Sequence, residues 1–401
     1  MNDRLVVLAY SGGLDTTVAV HRLTNEDGWD VVALLADVGQ GEDLEALAKR
    51  AMAAGAVDAV VVDATGRFAA EMLAPALAAN ALYEGKYPLV SSLSRPLIAR
   101  LLVEEARRRG AGAVAHGCTG KGNDQVRFEV SCGALAPDLR VLAPVRDWHA
   151  SRPEAIAYAG DHGLDLGWIS QRSPYSVDQN LWGRTIEAGA LEDPWVAPPE
   201  DAFAWTAAPG SVTGAPVDVV VAFERGVPVA VDGEPCDLAG AVERLNRVAG
   251  AVGYGRVDML ENRRVGIKSR EVYEVPGALA LITAHRDLED LVLDREVLHE
   301  KARLEVRYAE LVYDGLWYSP LRAALDAFVA ETQQVVTGEV RLTAGPGHVR
   351  VTGRRSPNAL YQPALATYGD DDRFDQAAGG AFTALWGLPV RTWAAVHGRP
   401  S

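Results

Sequence analysis

The sequence predicts an α/β protein: an N-terminal doubly wound parallel sheet, then a second α+β domain and a C-terminal helical tail. Three observations predict it. Short β-branched apolar runs alternate with helix patterns from residue 5 to about 165, as βα units closing on a parallel sheet do. Beyond about residue 215 this alternation gives way to paired strands and long helices. At 401 residues the chain exceeds one ordinary core, so more than one domain is expected. The expected divisions are 1–165, 166–360 and 361–401.

The first strand is Leu5-Val6-Val7-Leu8-Ala9, which stops at Tyr10-Ser11-Gly12-Gly13. A helix should follow at once, with Leu14, Val18 and Leu23 near helical spacing and Asp15, Thr16 and Thr17 placed to satisfy first-turn amides. Such a terminus gathers unpaired N–H groups, and the two glycines let backbone approach a bulky anion. A phosphate or pyrophosphate site is the natural reading, with an ordinary βα loop as the bland alternative. Val31 to Ala36 and Ala59 to Val62 read as buried strands flanking a helix from Asp43 to Ala54 that Gly55 ends. Ser94-Arg95-Pro96 opens a helix through Arg109, with proline in its first turn and Gly110 closing it. Strands at Ala113 to Ala115 and Val141 to Ala143 follow, then a helix from Ser151 to about Gly163. Ligands on such sheets gather beyond the C-terminal strand ends, where Ser11, Asp37 and His116 fall.

Tryptophan and proline rise between 167 and 215, an ordered excursion in which Trp168, Trp182, Trp195 and Trp205 need surfaces to pack on. Strands at Val217 to Phe223 and Val227 to Val231 and a helix from Leu238 to about Ala249 come next. Asp287 to Val312 reads as one long helix, and Pro320 to Val335 as another. A hairpin should set Val340 and Leu342 against Val349 and Val351 across Gly345-Pro346-Gly347. In the last forty residues Phe374, Phe382, Leu385 and Trp386 form an amphipathic terminal helix able to dock on its own chain or on a neighbour's, and the neighbour is preferred.

Composition is globular, with 48% hydrophobic and 23% charged residues. A net charge of -15 argues against a general nucleic-acid or anionic-membrane binder. Cys118, Cys132 and Cys236 form no Cys-x-x-Cys pair, which favours a reducing compartment. With a strand starting at the N-terminus and no apolar run of bilayer length, the expected location is cytoplasmic.

Four further segments carry chemistry. His116 to Glu129 follows a strand and crowds three glycines, Lys121, Asn123, Asp124 and Arg127 into one loop and helix entrance. Gly122 stands where a Walker loop needs Ser or Thr, which removes that reading. Groups binding both signs of charge suit a zwitterion such as an amino acid: Arg127 as a carboxylate fork, Asn123 and Asp124 for an ammonium or its neighbour. From Glu84 to Pro96, hydroxyls at Ser91, Ser92 and Ser94 read equally well as helix caps, which leaves Tyr87 and Arg95 unexplained. Ser173 to Thr185 and Val257 to Tyr273 are polar yet aromatic, and each alone reads as surface loop or hairpin. His21, His285, His299 and His348 lack metal spacing.

Taken in order, these blocks resemble the argininosuccinate synthase family, within the ATP pyrophosphatases, over essentially the full length. The resemblance rests on residues 9–17, on Tyr87-Pro88-Leu89 with Ser94 to Ala99, on His116 to Glu129, on Tyr175 to Arg184, and on Glu261-Asn262-Arg263 through Lys268-Ser269-Arg270 to Tyr273-Glu274. It implies an adenine-nucleotide α-hydrolase-like first domain and condensation of citrulline with aspartate, ATP becoming AMP and pyrophosphate. It further implies that Ala9, Tyr10, Ser11, Gly12, Gly13, Leu14, Asp15, Thr16, Thr17, Ala36 and Gly117 bind ATP. Tyr87, Ser92, Asn123, Arg127, Ser176, Thr185, Glu261 and Tyr273 would surround citrulline, and Thr119, Asn123 and Asp124 would hold aspartate. Mg²⁺ would travel with ATP, with no dedicated protein site, and the assembly would be a homotetramer. Thr17 and Thr185 stand where the family commonly has Ser, Ser91 and Ser94 where Thr and Ala are common, and Glu271 replaces a small residue. Thr185 is the departure expected to alter citrulline affinity. The competing readings are another adenylating ATP pyrophosphatase, acting on an amide or a tRNA base, and a non-catalytic nucleotide-sensing module.

Overall fold

The computed structural model describes residues 2–149, 151–165, 174–369 and 371–398. Residues 1–358 form one compact unit and 359–401 a second.

Strands β1 (Asn2–Ala9), β2 (Asp30–Asp37), β3 (Asp58–Asp63), β4 (Ala111–Ala115) and β5 (Arg140–Leu142) form a sheet of order β3-β2-β1-β4-β5. Every pairing in it is parallel. Alternation along the strands decides how both faces are covered. Val7, Val32, Leu34 and Val114 enter one core with Leu93, Leu97 and Leu101 of α3 (Val90–Arg109). Val6, Leu8, Val31, Ala33 and Leu35 enter a second core with Val20 and Leu23 of α1 (Leu14–Asn25) and Ala51 of α2 (Leu44–Ala53). Each fully buried Leu or Val contributes about 1.5–3 kcal/mol. Strand order reverses between β1 and β4, so the crevice beyond their C-terminal ends is where this topology holds ligands.

Helix α3 departs from the expected start. It begins at Val90, so Pro96 is its seventh residue. Leu89 adopts φ 67°, and its carbonyl accepts from the Leu93 amide at 2.9 Å, which starts the helix a turn early. Proline then deprives the Ser92 carbonyl of its usual donor, while Ser94 Oγ bonds the Ser91 carbonyl at 3.1 Å. Then come α4 (Asp124–Leu135) and α5 (Arg152–Asp161), the latter opened by a Ser151–Glu154 capping box.

Beyond residue 174 the described strands are antiparallel. Strands β6 (Ser176–Asn180), β7 (Gly183–Glu187), β11 (Arg256–Asn262) and β12 (Lys268–Glu274) form a sheet of order β11-β12-β7-β6. A third sheet, β10-β9-β8-β13-β14, combines β8 (Val217–Glu224), β9 (Val227–Val231), β10 (Glu234–Pro235), β13 (Gly338–Gly345) and β14 (His348–Arg355). In its hairpin Leu342 faces Val351 and Ala344 faces Val349, with Pro346-Gly347 at the turn. Helix α6 (Leu238–Ala251) packs here. The expected long helix is two: α7 (Pro276–Val292) and α8 (Arg295–Tyr313). Asp294 breaks the run, because its carboxylate accepts from the Glu296 and Val297 amides as an N-cap. Helix α9 (Pro320–Thr332) ends in a 3₁₀ turn, Gln333–Val335.

The tryptophans divide. Trp182 is buried, its Nε1 donating to the Pro88 carbonyl at 2.7 Å, and Trp205 is half-buried. Trp195 overturns its expectation: it is 94% exposed, held only through its backbone amide on Asp193 Oδ1. Trp168 and Ser173 lie outside the described residues. Among the described residues the C-terminal unit holds a single turn of helix at Pro363–Ala366 and two longer helices where one was expected, α10 (Gln376–Trp386) and α11 (Leu388–His397), with Phe374 before α10. Among the described residues no helix is long and apolar enough to cross a membrane, and all three cysteines are free thiols.

Candidate functional site

The loop after β1 is built to leave amides unspent. Gly12 has φ +70°, and a Cβ there would sit 2.5 Å from Leu47 Cδ2, so glycine is required twice over. Arg50 Nη1 fixes the Gly12 carbonyl at 2.8 Å. Gly13 is the N-cap, and no side chain caps the helix. This corrects the expectation for Asp15, Thr16 and Thr17. The Thr16 and Thr17 hydroxyls donate backwards to the Gly13 carbonyl, at 3.3 and 2.8 Å. Ser11 Oγ lies 3.2 Å from Thr16 Oγ1, and Tyr10 Oη lies 2.9 Å from Thr17 Oγ1. Side-chain hydroxyls therefore lock the loop, while the first-turn N–H groups stay available to an anion. Burial raises the Asp15 carboxyl, against the opposing charge of Arg152. Ala9 ends β1, Leu14 opens α1, and Ala36 lies near the end of β2, where its carbonyl accepts from Gln40.

Gly117 follows β4 and touches this loop: a Cβ there would stand 2.5 Å from Thr16 Cγ2. Six residues later the same segment reaches a polar cluster. Asn123 Nδ2 donates to Tyr313 Oη at 2.8 Å, and Asn123 Oδ1 accepts from the Arg264 amide at 2.9 Å. Tyr313 and Tyr273 donate to the two oxygens of Glu261, each at 2.8 Å. Tyr87 stacks on Tyr273 at 4.2 Å, and its hydroxyl caps the Ser91 amide at 3.0 Å. Arg127 spends Nε on the Tyr313 carbonyl (3.0 Å) and Nη1 on Asp124 (2.7 Å). Nη2 alone has no protein acceptor among the described residues. The expected fork is thus half committed.

A second ionic chain supports the first. Arg95 joins Asp124 Oδ2 (2.8 Å) to Asp178 Oδ2 (2.6 Å), and Ser91 Oγ donates to the same Asp178 oxygen. Sheet register puts Asp178, Thr185 and Tyr273 in one cross-strand row, and Thr185 Oγ1 lies 3.5 Å from Ser91 Oγ. Burial opposes charge on Asp124, but Arg95 and Arg127 overcome it and hold that carboxyl well below the usual range. Burial pushes Glu261 up against its two phenol donors. Glu271, buried beside Arg263, is pushed to about 8 by burial and then by the charges of Glu187 and Glu261. Ser92 is fully buried, and its hydroxyl has no partner, an unpaired group that asks for a ligand.

The structure therefore gathers Tyr87, Asn123, Asp124, Arg127, Glu261 and Tyr273, with Ser92 and Thr185 on the adjoining elements. Thr119 is exposed before α4 and Ser176 is exposed at the start of β6, and neither bonds to the cluster. Sequence reasoning passed over Tyr313 and Asp178. Tyr313 closes a helix pattern and reads as core; the one available signal was a tyrosine whose hydroxyl needs a partner once buried.

The N-terminal part, residues 5–165, matches the family described as "Arginosuccinate synthase N-terminal HUP domain", and residues 175–393 match "Arginosuccinate synthase C-terminal domain". An argininosuccinate synthase of Rubrobacter xylanophilus is 55% identical over 401 residues, covering 100% of this chain and 98% of that protein. An NH3-dependent NAD synthetase structure from Campylobacter jejuni is similar over 43% of this chain and 69% of its own, at 16% identity and TM-score 0.31.

Proposed function

The chain belongs to the argininosuccinate synthase family, ligases that form a C–N bond, and from that premise we propose that it joins citrulline to aspartate through a citrullyl-adenylate. ATP is the activating substrate, and AMP and pyrophosphate are the products. One observation carries this reading: the segment from Gly117 to Asn123 touches the uncapped glycine loop at one end and the Tyr313–Glu261 cluster at the other. Six residues span at most about 20 Å, so a phosphate site and an amino-acid site share one crevice.

A ureido oxygen is a poor leaving group, so AMP must first be attached to it. The oxygen attacks the α phosphorus, pyrophosphate departs, and the aspartate amine then displaces AMP as the new C–N bond forms. The free amides at Leu14 to Thr16 would receive the charge growing on pyrophosphate. Mg²⁺ bound to ATP would share that charge. Among the described residues no group of three or more His, Cys, Asp or Glu is arranged to hold a metal, and the reading brings the ion in on the nucleotide. Arg127 Nη2 and Ser92 Oγ offer unspent donors to citrulline, and Glu261 offers its remaining lone pairs. Asp124, held ionised by two arginines, suits the ammonium of aspartate, with Asn123 next to it in the chain and the exposed Thr119 earlier in the same segment offered as further ligands. No enzyme nucleophile is needed, because positioning can supply effective molarities of about 10⁵ M or more.

The proposal includes a homotetramer, supported by apolar side chains left exposed in the C-terminal unit, Trp386 at 75% and Trp393 at 53%. It also includes a cytoplasmic setting, for which the free thiols speak. Sustained, multiple-turnover pyrophosphate release with ATP and Mg²⁺ should require citrulline and aspartate together; sustained release independent of either would refute the assignment.

A further inference from the structure

Tyr313 belongs to none of the ligand sets above, yet it touches four of their members, Tyr87, Asn123, Arg127 and Glu261. It is 1% exposed at the C-terminal end of α8. Its ring stacks on Tyr83 with centroids 3.6 Å apart and meets the edge of Tyr87, and the Arg127 guanidinium lies 5.0 Å from its centroid. Gly315, at φ +77°, lets this helix end press on Arg127, where a Cβ would come within 2.9 Å of the Arg127 Cα. The ring is thus packed on three sides, and the hydroxyl alone faces polar groups.

The direction of every proton around that hydroxyl is fixed. The Arg264 backbone N–H can only donate, so the atom it meets on Asn123 is the amide oxygen. The Asn123 NH₂ therefore faces Tyr313, the phenol oxygen accepts from it, and the phenol proton is left for Glu261 Oε1. Tyr273 delivers a second O–H to Oε2. A carboxyl group receiving an O–H on each oxygen is matched to its anionic form, because a protonated one accepts both more weakly and has its own proton to place.

We propose that Tyr313 is a positioning residue for the ureido amino acid: through one hydroxyl it holds Glu261 as an anion and anchors the Asn123 amide, already oriented by the Arg264 N–H, as its acceptor. The role rests on the citrulline reading given above. Without the hydroxyl, Asn123 Nδ2 loses its acceptor and Glu261 loses one of two donors while remaining buried. Arg127 from α4 and Arg263 from the β11–β12 turn would still favour the anion. Glu271 on β12 and the phenols Tyr83 and Tyr87 face the same carboxylate and would not.

The test is Tyr313→Phe in the full chain, with citrulline, ATP and aspartate each varied across pH. Phenylalanine keeps the stack and the face under Arg127. The expected result is a citrulline KM raised about tenfold, an ATP KM within about twofold, and an acid limb of kcat/KM for citrulline moved to higher pH. An unchanged citrulline KM and acid limb would overturn the proposal, as would three KM values rising alike alongside a lowered Tm. Should the variant fail to fold, 3-fluorotyrosine at position 313 keeps the size and sharpens the donor; the acid limb should then move to lower pH, and an unmoved limb overturns the role. Wild-type enzyme that fails to consume citrulline defeats the functional reading itself. Wild-type turnover with an indifferent phenylalanine variant defeats only the role of Tyr313.

Discussion

Arg127 enters the site with Nε and Nη1 already bound, to the Tyr313 carbonyl and to Asp124. Its Nη2, with no protein acceptor among the described residues, is the donor proposed above for citrulline. Arg127→Ala should raise the citrulline KM at least tenfold, the worth of about 1.5–3 kcal/mol for a hydrogen bond to a charged group, and leave the ATP KM within about threefold; equal losses for both substrates would contradict the assignment. Glu271 yields a pH prediction. Its folded pKa of about 8 lies above the ordinary 4.5, chiefly through burial. The folded state keeps a proton that the unfolded chain has lost, so this stabilising contribution is complete below about pH 4.5 and is lost as pH rises through about 8. The slope is at most about 1.4 kcal/mol per pH unit. Glu271→Gln should therefore show a smaller fall in Tm between pH 6 and 9 than wild type, and parallel profiles would count against it. At this scale the sequence discloses residue types more readily than partners. Arg127 and Asn123 are legible because charge and amide crowd one loop, whereas Tyr313 and Asp178 are brought in from elsewhere by tertiary packing. The hydroxyls of Thr16 and Thr17 were legible as polar, but their direction, towards the Gly13 carbonyl, depends on rotamers that no sequence pattern states.

Among the elements, the strands of the parallel sheet were the clearest, because continuous β-branched runs buried on both faces have few alternatives. Helix limits were less clear where one side chain outweighs a periodic pattern. Asp294 ends an apparent long helix by capping the next, and Leu89 in the left-handed region starts α3 before its serines. That early start carries Ser91, Ser92 and Ser94 inside the helix: Ser91 reaches Asp178 on the β6–β7 hairpin, Ser94 turns back to the Ser91 carbonyl, and Ser92 is left buried with its hydroxyl unpaired. The segments that follow β1 and β4 meet closely at Gly117 against Thr16. Gly117→Ala must separate the β1 and β4 loops, since the new Cβ would lie 2.5 Å from Thr16 Cγ2. Overpacking of this kind costs about 1–3 kcal/mol, so the ATP KM should rise about tenfold. An unchanged ATP KM would show that the two loops do not form one nucleotide site.

For the whole molecule, the sheet order β3-β2-β1-β4-β5 places the two ligand loops on either side of the strand reversal. The antiparallel sheet supplies Thr185, Glu261 and Tyr273 from positions more than 150 residues beyond Ser11. The C-terminal unit carries Phe382, Leu385 and Trp386 exposed on one helix. A chain ending at Asn358 should scatter light as a smaller species than the full-length protein at the same concentration; equal masses would remove the tail from the assembly. One crevice is proposed to activate a ureido oxygen with ATP and then to join the ureido carbon to an amine, the oxygen leaving on AMP. The direct measurement is pyrophosphate release with ¹⁸O in the ureido oxygen of citrulline. The expected result is sustained release only with both amino acids present and one ¹⁸O recovered in AMP. Unlabelled AMP, or release without citrulline, would contradict it.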